Sequence, residues 1–207
     1  MNSAKVISDL KFIQKKGKEI ESVFDDLAAL RIAVFHDYPY LYEGTVSYEK
    51  EYLKTYSNSD RSLLFTVYDG EKMVGATTCI PLKDETAEVR KPFEDAGMDI
   101  SRIFYFGESI LLSEYRGLGL GHRFFDEREA HARSFGNYIM SCFCSVDRGE
   151  NHPQKPSDYR PNDIFWTKRG YAREPNLQSS MEWPDIGETA SSSKKMIFWT
   201  RSLNQHT

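Results

Sequence analysis

From Glu19 to Phe35 the apolar residues recur at helical spacing. Val23, Leu27, Leu30 and Val34 fall at i, i+4, i+7 and i+11, and Phe24, Ala28 and Phe35 widen the stripe. The pattern predicts a helix that ends in "HDYPYLYEGT", because Pro39 pushes Tyr38 out of the α region. A second, shorter helix is expected in "SYEKEYLKTYS", with Ser47 as its N-cap. In "SLLFTVYDGEKMVGATTCIPL" two β-rich runs flank Asp69-Gly70, which marks a hairpin. The polar "ETAEVRKPFEDAG" reads as a short helix or loop, and the long apolar content of "ISRIFYFGESILLS" as a central strand.

Beyond Ser113 the period returns to that of a helix, from about Gly121 to Phe135. Leu120, Phe124, Phe125, Ala132 and Phe135 form its apolar side, Arg128 interrupts it, and Gly136-Asn137 stops it. "YIMSCFCSV" is the next strand, "DRGENHPQKPSDYRP" a loop, and "NDIFWTKRGY" a short helix closed by Gly170. "ETASSSKK" reads as a surface loop and "KKMIFWTRSL" as a late strand. No repeat or linker divides the pattern, so a single α/β domain over residues 1–207 is expected.

Composition narrows the class. Hydrophobic residues make up 40% and aromatics 14% of the chain, enough for a packed core. The net charge of −4 gives no global attraction to nucleic acid or anionic membrane. No apolar run approaches the ~20 residues of a membrane span. "MNSAKVISDLKFIQKKGK" lacks the apolar core of a secretory signal, and three cysteines make no disulfide framework, so a cytoplasmic protein is expected.

The candidate chemistry centres on "SEYRGLGLGHRFF", where Gly117, Gly119 and Gly121 alternate between a strand and a helix. Amides at a helix start are unpaired, the helix dipole favours negative charge there, and glycine lets phosphate oxygens approach the backbone. A Walker loop would need a Lys after the glycines, and none follows. A dinucleotide loop needs Gly-x-Gly-x-x-Gly, whereas this is Gly-x-Gly-x-Gly. Asp147, ending the next strand, stands where a ribose-binding acid could sit, but too little chain follows to finish a doubly wound sheet.

"SEYRGLGLG" resembles the acetyl-coenzyme A loop of the GNAT superfamily, the GCN5-related N-acetyltransferases, whose signature is Arg/Gln-x-x-Gly-x-Gly/Ala. Arg116, Gly119 and Gly121 match its fixed positions, Gly117 matches a common variant, and "NDIFWTKRGY" resembles the family's "FYxKxGF". The element order agrees over nearly the whole chain. The resemblance implies a mixed central sheet flanked by helices, with central strands splayed at the cofactor. It implies acetyl transfer from acetyl-CoA to a primary amine of a small molecule or peptide, with no metal, and leaves a homodimer open. Residues 116 to 121 (Arg116, Gly117, Leu118, Gly119, Leu120, Gly121) would hold the pyrophosphate, with His122 as an added donor, and the backbone of Leu111, Leu112 and Ser113 the pantetheine arm. A CoA-binding regulatory module without turnover and a Rossmann-type dinucleotide enzyme are the alternatives.

An amine attacks a thioester only when neutral, so a general base is needed. Glu108, alone among apolar neighbours in "IFYFGESILL", is the first candidate, since burial without a partner would raise its pKa towards neutrality. Asp147 is the second. The family's tyrosine acid aligns with Trp166, whose indole is no acid, so Tyr159 is the candidate for that role. Tyr38, Tyr40, Tyr42 and Glu43 suit the wall of an amine site. Cys142 and Cys144 share a strand face but, with only His152 near in sequence, make no zinc set. His36, His122 and His131 read as surface or loop residues.

Overall fold

The computed structural model describes residues 7–204. Among these, seven strands form one mixed sheet in the order β1-β2-β3-β4-β5-β7-β6. They are β1 (Leu10–Lys15), β2 (Leu63–Asp69), β3 (Lys72–Pro81), β4 (Ile103–Leu111), β5 (Met140–Val146), β6 (Ala172–Trp183) and β7 (Ser192–Ser202). Helices α1 (Phe24–Phe35), α2 (Val46–Ser57) and α3 (Ala87–Asp95) accompany one face; α4 (Leu120–Ser134) and α5 (Asp163–Lys168) accompany the other.

The expected hairpin is β2–β3, with Gly70 at φ +60°. The first helix begins later than its periodicity implies: residues 17–23 form a 3-10 turn, and the α-helix starts at Phe24. Thr45, not Ser47, caps α2, its hydroxyl accepting from the Tyr48 amide at 3.4 Å. The "ETASSSKK" loop is shorter than expected, because β7 already begins at Ser192. His131 is a buried helix residue whose Nε2 lies 2.9 Å from the Arg61 carbonyl, and burial lowers its pKa.

Two strands carry no strong periodic signal, and both lie at sheet edges. β1 is rich in Lys and Gln, as an edge exposed to water favours. β6 is mostly polar and breaks register between Glu174 and Gln178, across Pro175, a residue confined to edges and bulges. In α3, Pro92 cannot donate to the Glu88 carbonyl, and the Ser179 hydroxyl of β6 donates to it at 2.6 Å instead.

Only β4 and β5 pair in parallel, and only at Ile103–Met140, Phe104–Ser141 and Tyr105–Cys142. Beyond these residues the two strands part, as the resemblance implies. A single parallel pair in an otherwise antiparallel sheet also removes the doubly wound dinucleotide fold.

Register explains which face each side chain of β4 takes. Opposite Thr78 of β3, β4 spends two residues, Gly107 and Glu108, in a bulge. Ile103 and Tyr105 lie on the α1 face before it; Ile110 lies on that face after it. One added residue therefore turns Glu108 towards α1. Threonine hydroxyls satisfy the bulged backbone: Thr77 donates to the Glu108 carbonyl at 2.8 Å, and the Glu108 amide donates to Thr78 at 3.3 Å.

Candidate active site

At the end of β4 the Leu112 amide donates to the Val74 carbonyl of β3 at 3.0 Å. The antiparallel ladder alternates, so the N–H and C=O of Leu111 face away from β3, into the gap towards β5. This corrects the expected strip of free backbone: the Leu112 amide is committed to β3. Arg116 is also placed differently from the expectation. Its Nε and Nη2 both donate to the Leu111 carbonyl at 3.3 Å, folding the guanidinium onto the strand end.

The chain then turns at φ +80° at both Gly117 and Gly119, a region that side-chain-bearing residues rarely enter. A Cβ added at either would meet nothing within 4 Å. Gly119 caps α4, and its carbonyl accepts the His122 and Arg123 amides at 3.1 and 3.3 Å. The Leu120 and Gly121 amides precede the first intrahelical bonds, at the positive end of a fifteen-residue helix. Leu120 is buried against Phe124, and Leu118 packs on the same cluster, which anchors the turn. His122 is exposed, its ring 4.9 Å from Phe165. Open space, unpaired amides and a strand edge facing the gap fit a diphosphate that continues into an extended arm.

A buried polar cluster occupies the α1 face of the same sheet. Arg31 of α1 donates from Nε to Glu49 of α2 and from Nη1 to Glu108 at 2.7 Å. Its guanidinium lies 4.6 Å from the Tyr52 ring and 5.1 Å from the Phe35 ring. Burial disfavours the charged guanidinium, but Glu108 and Glu49 outweigh it and raise its pKa. Glu108 is therefore buried with a partner, contrary to the partnerless burial expected of it. Tyr52 and Tyr56 share a hydroxyl contact of 3.2 Å, and the Tyr56 hydroxyl fills the space where a side chain on Gly107 would stand. Glu85 lies in the same network, and burial pushes its carboxyl up to about 7. Where β4 and β5 part, the Tyr105 hydroxyl and Cys144 Sγ are 3.2 Å apart, and burial pushes the thiol up to about 12.

The tyrosine-rich stretch after α1 borders this cluster. Tyr40 packs on Phe35 at 4.5 Å and on Trp183 at 6.0 Å; its hydroxyl feels Cys144, Arg31, Tyr159 and Glu108, and burial raises its pKa. Tyr42 is buried, and burial together with the nearby Glu49 carboxylate raises its pKa. Tyr38 meets Tyr159 edge-on at 4.7 Å and His152 at 5.7 Å. Glu43 is exposed and joins the group only through its backbone, which donates to Pro184. Arg148 ties the stretch down: it donates to the carbonyls of Pro39 (2.7 Å) and Tyr40 and to both oxygens of Asp185 at 2.7 Å.

No family model and no curated relative matches the sequence. Solved structures do match over nearly their whole length. An acetyltransferase of the GNAT family from Streptococcus pneumoniae is 14% identical with a TM-score of 0.53, covering 93% of this chain and 99% of its own. An N-acetyltransferase from Staphylococcus aureus Mu50 is 11% identical with a TM-score of 0.57, covering 94% and 99%. An aminoglycoside 6'-N-acetyltransferase complexed with coenzyme A is 14% identical with a TM-score of 0.54, again covering 94% and 99%. The chain has the GNAT fold.

On the GNAT fold the predicted residues divide between the faces of the splayed strands. Glu108, Tyr38, Tyr40, Tyr42 and Tyr159 gather towards α1. Asp147 does not join them: its carboxylate turns to Arg173 at 3.4 Å and Lys195 at 3.7 Å. Trp166, on α5, packs on Phe143 at 5.0 Å and Trp199 at 5.1 Å, on the α4 face of the sheet. Arg128, the break in the apolar side of α4, is buried there with its guanidinium 4.5 Å from both the Phe106 and Phe125 rings.

Arg31, Glu49, Tyr52, Tyr56, Glu85, Tyr105 and Arg148 escaped the sequence reading. Two of them left a signal. Arg31 follows Leu27 by four positions, and Glu49 precedes Leu53 and Tyr56 by four and seven. Both are charges on an apolar stripe, where an unpaired ion is costly and a buried partner is implied. Among the described residues no helix is long and apolar enough to cross a membrane.

Proposed function

We propose that the protein is an N-acetyltransferase that moves an acetyl group from acetyl-CoA to a primary amine by direct attack. The observation that carries this reading is the turn at Gly117 and Gly119, with open space and unpaired helix amides, beside the gap between β4 and β5. The amides of Leu120 and Gly121 would hold the diphosphate, and the Leu111 backbone the extended arm. The bound co-substrate supplies an activated acetyl thioester. The Leu111 N–H, turned into the gap, is a donor for a carbonyl oxygen that gains charge.

Glu108 takes the proton that makes the amine nucleophilic. Arg31 holds its Oε2, while Oε1 is buried and has no hydrogen-bond partner. A proton can be received at Oε1 without breaking the ion pair. Tyr159, edge-on to Tyr38, is the residue assigned to protonate the departing thiolate. Tyr38, Tyr40, Tyr42 and Glu43 border the acceptor. A second reading, a CoA-binding module without turnover, is favoured by the indole of Trp166 where the family has its tyrosine.

Thermal unfolding with acetyl-CoA, CoA, NAD and ATP tests the reading. Acetyl-CoA and CoA at 100-fold their dissociation constants are expected to add about 2.7 kcal/mol of stability. A shift with NAD and none with CoA rejects it. Thiol release over a panel of amines then separates an enzyme from a binding module.

A further inference from the structure

The cluster under α1 holds more carboxylate than its cation needs. Glu49 and Glu108 both bind Arg31, so one guanidinium faces two carboxylates. Glu85, the third acid of the network, is relieved by burial that favours its protonated form. Glu49 and Glu108 are 0% and 6% exposed, and each has one oxygen, Oε1, with no hydrogen-bond partner. A purely structural clamp on Arg31 would be complete with one acid. The second leaves a buried net negative charge and two unfilled acceptor sites, an arrangement that costs free energy until a donor arrives.

We infer that Glu49 and Glu108 together form a binding site for an ammonium group, and that the acceptor is therefore a cationic alkylamine without an acidic group near it. This deepens the proposed function and rests on it for the identity of the ligand as acceptor. An ammonium brings three N–H donors and one positive charge, which match two vacant oxygens and the surplus charge. Tyr40 and Tyr52, half-buried beside Arg31 and Glu108, are the aromatic side chains that border the ion. Glu49 holds the ammonium as it docks, and Glu108 Oε1 is the oxygen that then receives its proton. A carboxylate beside the amine would meet Glu49 and Glu108 and be repelled. A weakly basic aromatic amine would arrive neutral and gain nothing from them.

Thermal unfolding of the full chain, with and without CoA, tests this with butylamine and spermidine as cations and butanol as the neutral counterpart. Both amines are expected to raise the midpoint and butanol to leave it unchanged. Glu49→Gln is expected to weaken amine binding roughly 10- to 100-fold, the range for a hydrogen bond to a charged group, and to keep the CoA shift. In turnover the same variant should raise KM far more than it lowers kcat. An equal amine shift in Glu49→Gln, or butanol as effective as butylamine, overturns the proposal. If Glu49→Gln does not fold, the amine and alcohol comparison on the parent decides alone. An amine shift that depends on Glu49 in a protein blind to CoA would uphold the ammonium site and reject the acetyltransferase reading.

Discussion

The glycine turn before α4 and the carboxylate cluster under α1 are built by opposite means. The turn is five contiguous residues, 117–121, and its working groups are backbone amides set by two left-handed glycines and a helix start. The cluster draws Arg31 from α1, Glu49 from α2, Glu85 from the connection after β3 and Glu108 from a bulge in β4. Its working groups are side chains, and they meet only after the sheet and both helices have packed. A site made of backbone depends on the conformation of a few residues and tolerates most changes elsewhere. A site made of dispersed side chains fails when any one of them is changed, and it can change its ligand by a single substitution.

The sharpest way to break that contrast is Glu108→Gln. The amide keeps the shape and the contact to Arg31 but cannot take a proton from an amine. Turnover is expected to fall by roughly 10²–10⁴, the size of a positioned base. CoA affinity should stay within a few-fold, because the glycine turn shares no side chain with the cluster. Steady-state rates, beside CoA titration, read both. A variant as active as the parent would remove Glu108 from the chemistry.

The turn is tested by a pair of alanines that separate its shape from its access. Gly119→Ala forces a side chain into φ +80° and is expected to cost about 1–2 kcal/mol of stability. Gly121 lies inside α4 without a positive φ, and a Cβ there would sit 3.5 Å from Phe165, an ordinary contact. Gly121→Ala should therefore gain up to about 1 kcal/mol of stability from helix propensity. It should still lose about tenfold in CoA affinity, equal to about 1.4 kcal/mol, because its methyl crowds the amides. Unchanged CoA affinity in a stable Gly121→Ala protein would move the diphosphate off these amides.

How far each region was legible in the sequence follows from how it is built. The turn could be read because alternation of glycine between a strand and a helix is a local statement about backbone. The helices α1, α2 and α4 were legible from their stripes, and the β2–β3 hairpin from Asp69-Gly70. β1 and β6 were not, because edge strands face water on one side and shed the apolar signal. The pairing of Glu108 escaped for a different reason. Alternation along β4 says nothing of a bulge, and it is the bulge opposite Thr78 that turns Glu108 to the face of Arg31. Arg31 and Glu49 were readable only as misfits on apolar stripes; their pairing needed the fold.

Trp166→Phe probes the boundary between the two regions and carries the smallest expected effect. Trp166 sits on α5, packed on Phe143 and Trp199 on the α4 side of the sheet, while Glu108 and the tyrosines gather on the α1 side. Its indole donates hydrogen bonds but cannot deliver a proton to a thiolate. Phenylalanine keeps the aromatic packing and removes one ring. A loss of about 1 kcal/mol is expected, which lowers the melting midpoint by roughly 2–4 °C in a chain of this size. Turnover per bound substrate should remain within about threefold, since no proton passes through this position. A loss of about 100-fold with intact CoA binding is the low end for removing a proton-transfer group. That result would place the acid at Trp166 or at a water held by its N–H, on the α4 side of the gap, and would take the role from Tyr159.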